Sequence, residues 1–205
     1  MNLRAPALLV SARPHGETAV IVRLLTEQYG LVAGYVAGGR GRNLRPVVIP
    51  GNLVEAEIRA KSDSQLPFAR LELVQSRGPW LSEPLPAAAI SWVTAVTASV
   101  LPERNAYSGL YSALSALLDA ICNAPSARGW LGALVSYEVL LLREMGYGGG
   151  EAPKFDGFAD AFVAFDRMFT PIEKHLLVGT YGDVMSARTL LRTRLARIAG
   201  ADETS

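Results

Sequence analysis

The chain has 205 residues, half of them hydrophobic and 19% charged, against about 25% charged in typical globular proteins; that suffices for a packed core and argues against a disordered body. A net charge of +1 rules out a polycation, yet residues 1–78 hold ten Lys and Arg against six acids, a surplus of four, while the remainder has a deficit of three. The asymmetry favours the N-terminal part for any nucleic-acid contact, and the single cysteine, Cys122, leaves neither an internal disulfide nor a cysteine-only metal site.

The length allows one large domain or two small ones. Residues 1–78 read as all-β, with alternating apolar residues placing candidate strands at about 7–13, 18–27, 31–37, 52–60 and 68–76. Pro14-His15-Gly16, Gln28-Tyr29-Gly30, the run from Gly38 to Pro50 and the run from Lys61 to Pro67 separate them. Five short strands at this spacing suit a small barrel, OB-fold or SH3-like. The opening stretch from Leu3 to Val10 is short and runs into strand alternation, so it is not read as a signal peptide. No apolar run reaches the ~18 residues of a membrane helix. The expectation is a soluble cytoplasmic protein.

Gly78-Pro79 closes the β region, and Pro84 and Pro86 follow. The chain then turns helical. The alanine-rich stretch from Ala87 to Leu101 stops at Pro102. Asn105 is the candidate cap of a second helix to about Ile121, with Leu110, Leu114, Leu117 and Leu118 on one face. Asn123-Ala124-Pro125 breaks it, and Ser126 is the candidate cap of a third, about 127–145, ended by Gly146. This third helix is apolar over most of its circumference, which places it centrally. Residues 146–170 read as irregular, a glycine-rich loop pinned by Phe155, Phe158, Phe162, Phe165 and Phe169 or offering them to a partner. Pro171 suits the first turn of a helix to about Val178, and a last helix spans about 184–198. These assignments give an α+β chain: a barrel at 1–78, then a helical domain at 79–205.

No catalytic constellation stands out. His15 lies in a turn and His175 in a helical segment, each without a partner in the sequence. Cys122 reads as a small buried hydrophobe. Gly38-Gly39-Arg40-Gly41 lacks the Gly-Lys-Ser/Thr ending of a P-loop, and the glycines after Gly146 follow a helix, unlike a dinucleotide fingerprint. No enzyme activity and no cofactor are expected.

The binding argument rests on Arg40, Arg42 and Arg45, three cations within six residues of a glycine-rich loop that can follow a phosphate backbone closely. The alternative is a loop kept soluble by charge. Arg13, Arg59 and Lys61 extend the surface, and Tyr29 and Tyr35 are candidates for base stacking or for simple packing. Arg188, Arg192, Arg194 and Arg197 form a separate C-terminal set. Arg188 and Arg192 share a helix face, read as a solvated face or as a second DNA contact, while Leu191 and Leu195 mark the face to be buried.

Three stretches in order carry a resemblance. Arg13-Pro14-His15-Gly16-Glu17-Thr18, followed by Tyr29-Gly30-Leu31-Val32-Ala33-Gly34-Tyr35-Val36 and the Gly38–Arg42 loop, resembles the start of the RecO family of recombination mediators. Pro50-Gly51-Asn52-Leu53-Val54-Glu55-Ala56-Glu57-Ile58 resembles its next strand, and Tyr137 to Gly148 its "F-E-x-x-L-L-x-E-L-G-Y-G" helix end. The resemblance implies an OB-fold followed by a helical domain. It also implies a non-enzymatic role in bacterial recombinational repair: binding single- and double-stranded DNA, annealing complementary strands, and acting with RecR to load RecA onto strands coated by single-stranded-DNA-binding protein. It implies a cytoplasmic, nucleoid-associated protein. Many members carry a four-cysteine zinc site after the helix end, but residues 149–170 contain no cysteine or histidine, so no metal is expected there. Two other readings stay open: a protein-interaction scaffold with little DNA affinity, and an RNA-binding OB-fold protein.

Overall fold

Alternation of apolar residues closes the first part of the chain into a barrel. The computed structural model describes residues 2–60, 65–148, 153–179 and 182–202. Five strands, β1 (Asn2–His15), β2 (Ala19–Thr26), β3 (Gly30–Val36), β4 (Leu53–Arg59) and β5 (Phe68–Gln75), run in the order β1-β2-β3-β5-β4 around a closed barrel. All neighbours are antiparallel except β3 and β5, which meet at the single pair Tyr35 and Phe68. This is the OB-fold. Leu3, Ala7, Leu9, Val22, Leu24, Val32, Val54, Ile58 and Leu71 point inward and form its core.

β1 begins at Asn2, five residues before the expected start. Its first half pairs with β4 and its second half with β2, so one long strand serves two neighbours. Pro6 does not stop it, because β2 pairs with β1 only from Ala7 onward and one side of Pro6 carries no ladder. A register shift between Leu9 and Ser11 bends the strand.

Gly30 shows why one turn needs glycine. Its φ is +68°, and a Cβ there would lie 2.0 Å from the backbone oxygen of Asn105. Asn105 is therefore part of a segment laid against β3, where Glu103 bridges Leu31 and the Arg104 N–H donates to the Leu31 carbonyl. It does not cap the second helix, which starts at Ser108. One compact unit comprises Met1–Ser82 with Leu101–Tyr111, and a second comprises Glu83–Val100 with Ser112–Ser205.

The helices are α1 (Pro84–Val100), α2 (Ser108–Asn123), α3 (Leu131–Glu144), α4 (Gly157–Arg167), the short α5 (Phe169–Pro171) and α6 (Gly182–Asp202). α1 includes Pro84 and Pro86 because first-turn residues have no intrahelical use for an N–H. Ser126 makes no capping bond; a 3₁₀ turn at Ala127–Gly129 comes first, and α3 starts only at Leu131. Gly146 ends α3 at φ +85°, with its N–H on the Arg143 carbonyl and that of Tyr147 on Leu142, a Schellman closure.

The largest departure from expectation is α4. Its glycine-rich approach reads as a loop, yet Phe158, Ala161 and Phe165 recur at helical spacing and bury one face. After Pro171 the chain makes a π-helical turn, Ile172–Leu176, in place of an α-helix to Val178. Within the second unit α6 packs along α1, and α3 packs on α4. Among the described residues, no helix is long and apolar enough to cross a membrane.

Candidate nucleic-acid interface

The loop after β3 is amphipathic. Gly38 turns the chain at φ +65°, and Gly39 sits where a Cβ would press on Val20 at 2.9 Å, so the loop crosses the barrel end at close range. The Arg45 N–H donates to the Gly41 carbonyl, and that of Val48 to Leu44, giving successive helical turns. Val47 joins the barrel core, with Leu44 and Val48 packed against it, while Arg40, Arg42 and Arg45 stay exposed.

The loop is held at both ends. The Arg40 N–H donates to the Thr18 carbonyl at 2.9 Å, and its guanidinium to the carbonyls of Glu17 at 3.0 Å and Gly16 at 3.4 Å. That ties the loop to the β1–β2 turn. At the other end Asn52 is fully buried; its Nδ2 donates to the carbonyls of Pro46 and Val47, and its Oδ1 accepts from the Arg77 N–H at 2.8 Å. Arg77 is itself buried and donates to the Gly51 carbonyl. One cation of the N-terminal surplus therefore belongs to the scaffold.

Ion pairing sorts the rest. Arg4 pairs with Glu55, Arg23 with Glu103, Arg59 with Glu57 and Arg70 with Glu72. The Arg59 guanidinium holds the Glu57 carboxyl below the usual carboxylate range. Among the described residues, no carboxylate pairs with Arg13, Arg40, Arg42 or Arg45. The outer face of β4 and β5 thus neutralises itself, and the unbalanced charge lies on the loop and on β1. Lys61 lies outside the described residues.

Strand register brings further residues together. Arg13 sits opposite Ile21, Ile21 opposite Tyr35, Tyr35 opposite Phe68, and Phe68 opposite Arg59. Partners across strands share a face, so these five follow one outward row around the barrel. Tyr35 meets Phe68 edge-to-face at 5.4 Å, and His15 meets Tyr35 the same way at 6.0 Å. Phe68 was not a candidate from sequence, and His15 read as an ordinary turn residue. The available signal was phase: Ala69 and Leu71 take the inward positions of β5 and push Phe68 out.

The C-terminal pair divides. Arg188 is buried at 1% exposure, so its expected place on a solvated, DNA-facing surface is corrected. Its Nε and Nη2 donate to the two carboxylate oxygens of buried Glu138 at 3.2 and 3.1 Å, and Nη2 also to the Phe165 carbonyl. Trp92 Nε1 donates to the same carboxylate at 2.8 Å, and the guanidinium lies 4.0 Å from the Phe165 ring centroid. Burial pushes the Glu138 carboxyl up, and Arg188 and Trp92 pull it back. Arg188 follows Val184 by four residues and precedes Leu191 and Leu195, all buried, so it lies within the apolar stripe of α6. Arg192 is exposed and makes a two-pronged pair with Asp166 at 2.8 and 2.7 Å. Among the described residues, no group of three or more His, Cys, Asp or Glu gathers in a way that could hold a metal.

Residues 1–77 match the family model described as "Recombination protein O N terminal", and residues 82–149 the one described as "Recombination protein O C terminal". The chain is 42% identical over 150 residues to the DNA repair protein RecO of Caulobacter vibrioides strain NA1000, covering 72% of this chain and 60% of that protein. It is 39% identical over 151 residues to the protein of the same name from Gluconacetobacter diazotrophicus, with 72% and 59% covered. With that of Rhodospirillum centenum the identity is 41% over 143 residues, with 69% and 56% covered. The chain thus spans a little under two thirds of the length of these relatives, and α4 to α6 lie beyond the stretches matched by the family models.

Proposed function

Since the chain belongs to the RecO family, we propose that it is a DNA-binding recombination mediator of bacterial recombinational repair, acting in the cytoplasm at the nucleoid. The observation that carries this reading is the loop of Arg40, Arg42 and Arg45: three exposed cations without a carboxylate partner among the described residues, on a backbone held at both ends. Phosphate contacts need fixed charge at close approach more than shape. Arg13 extends the surface. Arg59 ranks below it because Glu57 already engages its guanidinium.

In this reading the protein binds single- and double-stranded DNA, anneals complementary strands without consuming a nucleotide, and helps RecR load recombinase onto strands coated by single-stranded-DNA-binding protein. Annealing needs no covalent chemistry. Two phosphate chains repel until cations lie between them, and base pairing then drives the reaction. Arg192 is the remaining candidate for a second contact, with Asp166 as the group a phosphate has to displace.

The test is annealing of complementary strands followed by fluorescence quenching, with binding of labelled single strands measured over a range of salt. The wild type accelerates annealing at low salt and loses the effect at high salt. Replacing Arg40, Arg42 and Arg45 together by Ala lowers the salt slope by about 2, at about 0.7 per contact on single strands. Stability changes by no more than ~0.5 kcal/mol at Arg42 and Arg45, and by about 1 kcal/mol at Arg40, whose bonds to the Gly16 and Glu17 carbonyls are lost. An uncatalysed annealing rate together with undetectable DNA binding replaces this reading by the interaction scaffold.

A further inference from the structure

We infer that Tyr35 and Phe68 form a stacking step for unpaired bases, so that the barrel holds single strands by their bases as well as by their phosphates. The inference rests on the DNA-binding reading above and names the form of nucleic acid that this surface prefers.

Three observations carry it. First, Phe68 is 53% exposed although it opens a strand whose next inward positions, Ala69 and Leu71, are buried. The barrel core does not use it. Second, the two rings are neither isolated nor closed face to face. They meet at 79° across the pair at which β3 joins β5, and His15 abuts Tyr35 at 84°. Edge contacts fix ring orientation without spending both faces of each ring on a neighbour. Third, an arginine flanks the rings at each end of the row, Arg13 without a carboxylate partner among the described residues and Arg59 engaged by Glu57. Arg59 is the next residue in the row beyond Phe68, and Arg13 lies beyond Ile21 at the other end. An open groove of about 620 Å³ is lined by Phe68 and Arg59 and reaches Leu44 of the arginine loop. Glu57 and Glu72 line it too, each engaged by an arginine.

A base in a duplex has both faces covered by its neighbours and its edge paired. It cannot lie on Phe68 without leaving the stack. An unpaired base can, whatever its identity, because every base has a π-face. The step therefore adds affinity for single strands and none for duplex, while the loop arginines serve both.

The experiment compares a 15-nucleotide oligo-dT with an abasic oligonucleotide of the same length, and with a duplex. All three present phosphates; only the first presents free bases. The wild type is expected to bind oligo-dT more tightly than the abasic strand by roughly fivefold to a hundredfold for each stacked base. F68L, and F68L combined with Y35L, narrow that preference and leave the salt slope and duplex affinity unchanged. F68W retains the preference. F68L alone suffices if the double variant folds poorly, since Phe68 is half in solvent. Equal binding of oligo-dT and the abasic strand by the wild type, or full preference in F68L and the double variant, overturns the stacking step and leaves DNA binding standing. Failure of the wild type to bind any of the three overturns both.

Discussion

Arg40, Arg42 and Arg45 stand on the barrel unit, and Arg188 stands inside the helical unit. By composition they are the same residue, and each lies in a stretch rich in small residues. The loop arginines ride on a turn whose apolar residues, Leu44, Val47 and Val48, face the other way, so their charge stays in water. Arg188 occupies the apolar stripe of its own helix and meets Glu138 on α3, which likewise replaces an apolar residue between Leu134 and Leu141. A charge on the polar side of an amphipathic element is available to a partner. A charge on the apolar side must find its counter-charge within the fold, and then it serves the fold.

Arg188→Met gives the sharpest break of that comparison. It leaves the Glu138 carboxylate buried and uncompensated, which costs on the order of 3–5 kcal/mol. Burial already raises the folded pKa of Glu138 above its ordinary value, and loss of Arg188 raises it further. The folded state then holds a proton that the unfolded state has released. The penalty is therefore small below the ordinary carboxylate pKa and grows as pH rises above it. Urea unfolding followed through buried Trp92 and Trp130 measures this across pH. A double variant, Arg188→Met with Glu138→Leu, recovers most of the loss. DNA affinity per folded molecule stays unchanged; a reduced salt slope in Arg188→Met would return this residue to the surface.

Asn52→Ala probes the other side. Asn52 is fully buried and touches no solvent, yet it satisfies two loop carbonyls and the Arg77 N–H. Removing it strands three polar groups, for a loss of about 2–3 kcal/mol. It also frees the arginine loop from Arg77, just beyond β5, so DNA affinity falls although no cation has been removed. Stability falling while DNA affinity per folded molecule holds would mean that the loop keeps its shape without the tether.

Five strands were legible because a period of two is written locally in residues 1–75. What crosses the sequence was not. Tyr35 and Phe68 meet only through register, and Arg188 meets Glu138 from 50 residues further along the chain. The first residues of β1 were hidden by Pro6, whose cost depends on which side a neighbour pairs. α4 was hidden by the glycines that precede it, although Phe158, Ala161 and Phe165 already carried the helical spacing. Arg188 was legible in principle. Val184, Leu191 and Leu195 put it on the stripe by their spacing of four, three and four, but a count of cations gave it to the surface.

The smallest effect is expected one turn further along α6. Arg192 differs from Arg188 in burial, not in chemistry: it too makes a two-pronged pair with a carboxylate, but in water. An exposed pair gains little, because solvent screens it and two long side chains must be held still. Arg192→Ala should therefore cost under about 1 kcal/mol, a change several-fold below that of Arg188→Met. Its use lies in DNA binding. If phosphate displaces Asp166 from Arg192, the single-strand salt slope falls by about 0.7 in the variant. An unchanged slope confines the contact to the barrel unit. Asp166→Asn separates the cases: it removes the competitor and keeps Arg192, so binding tightens at low salt if Arg192 is a contact and stays the same if it is not.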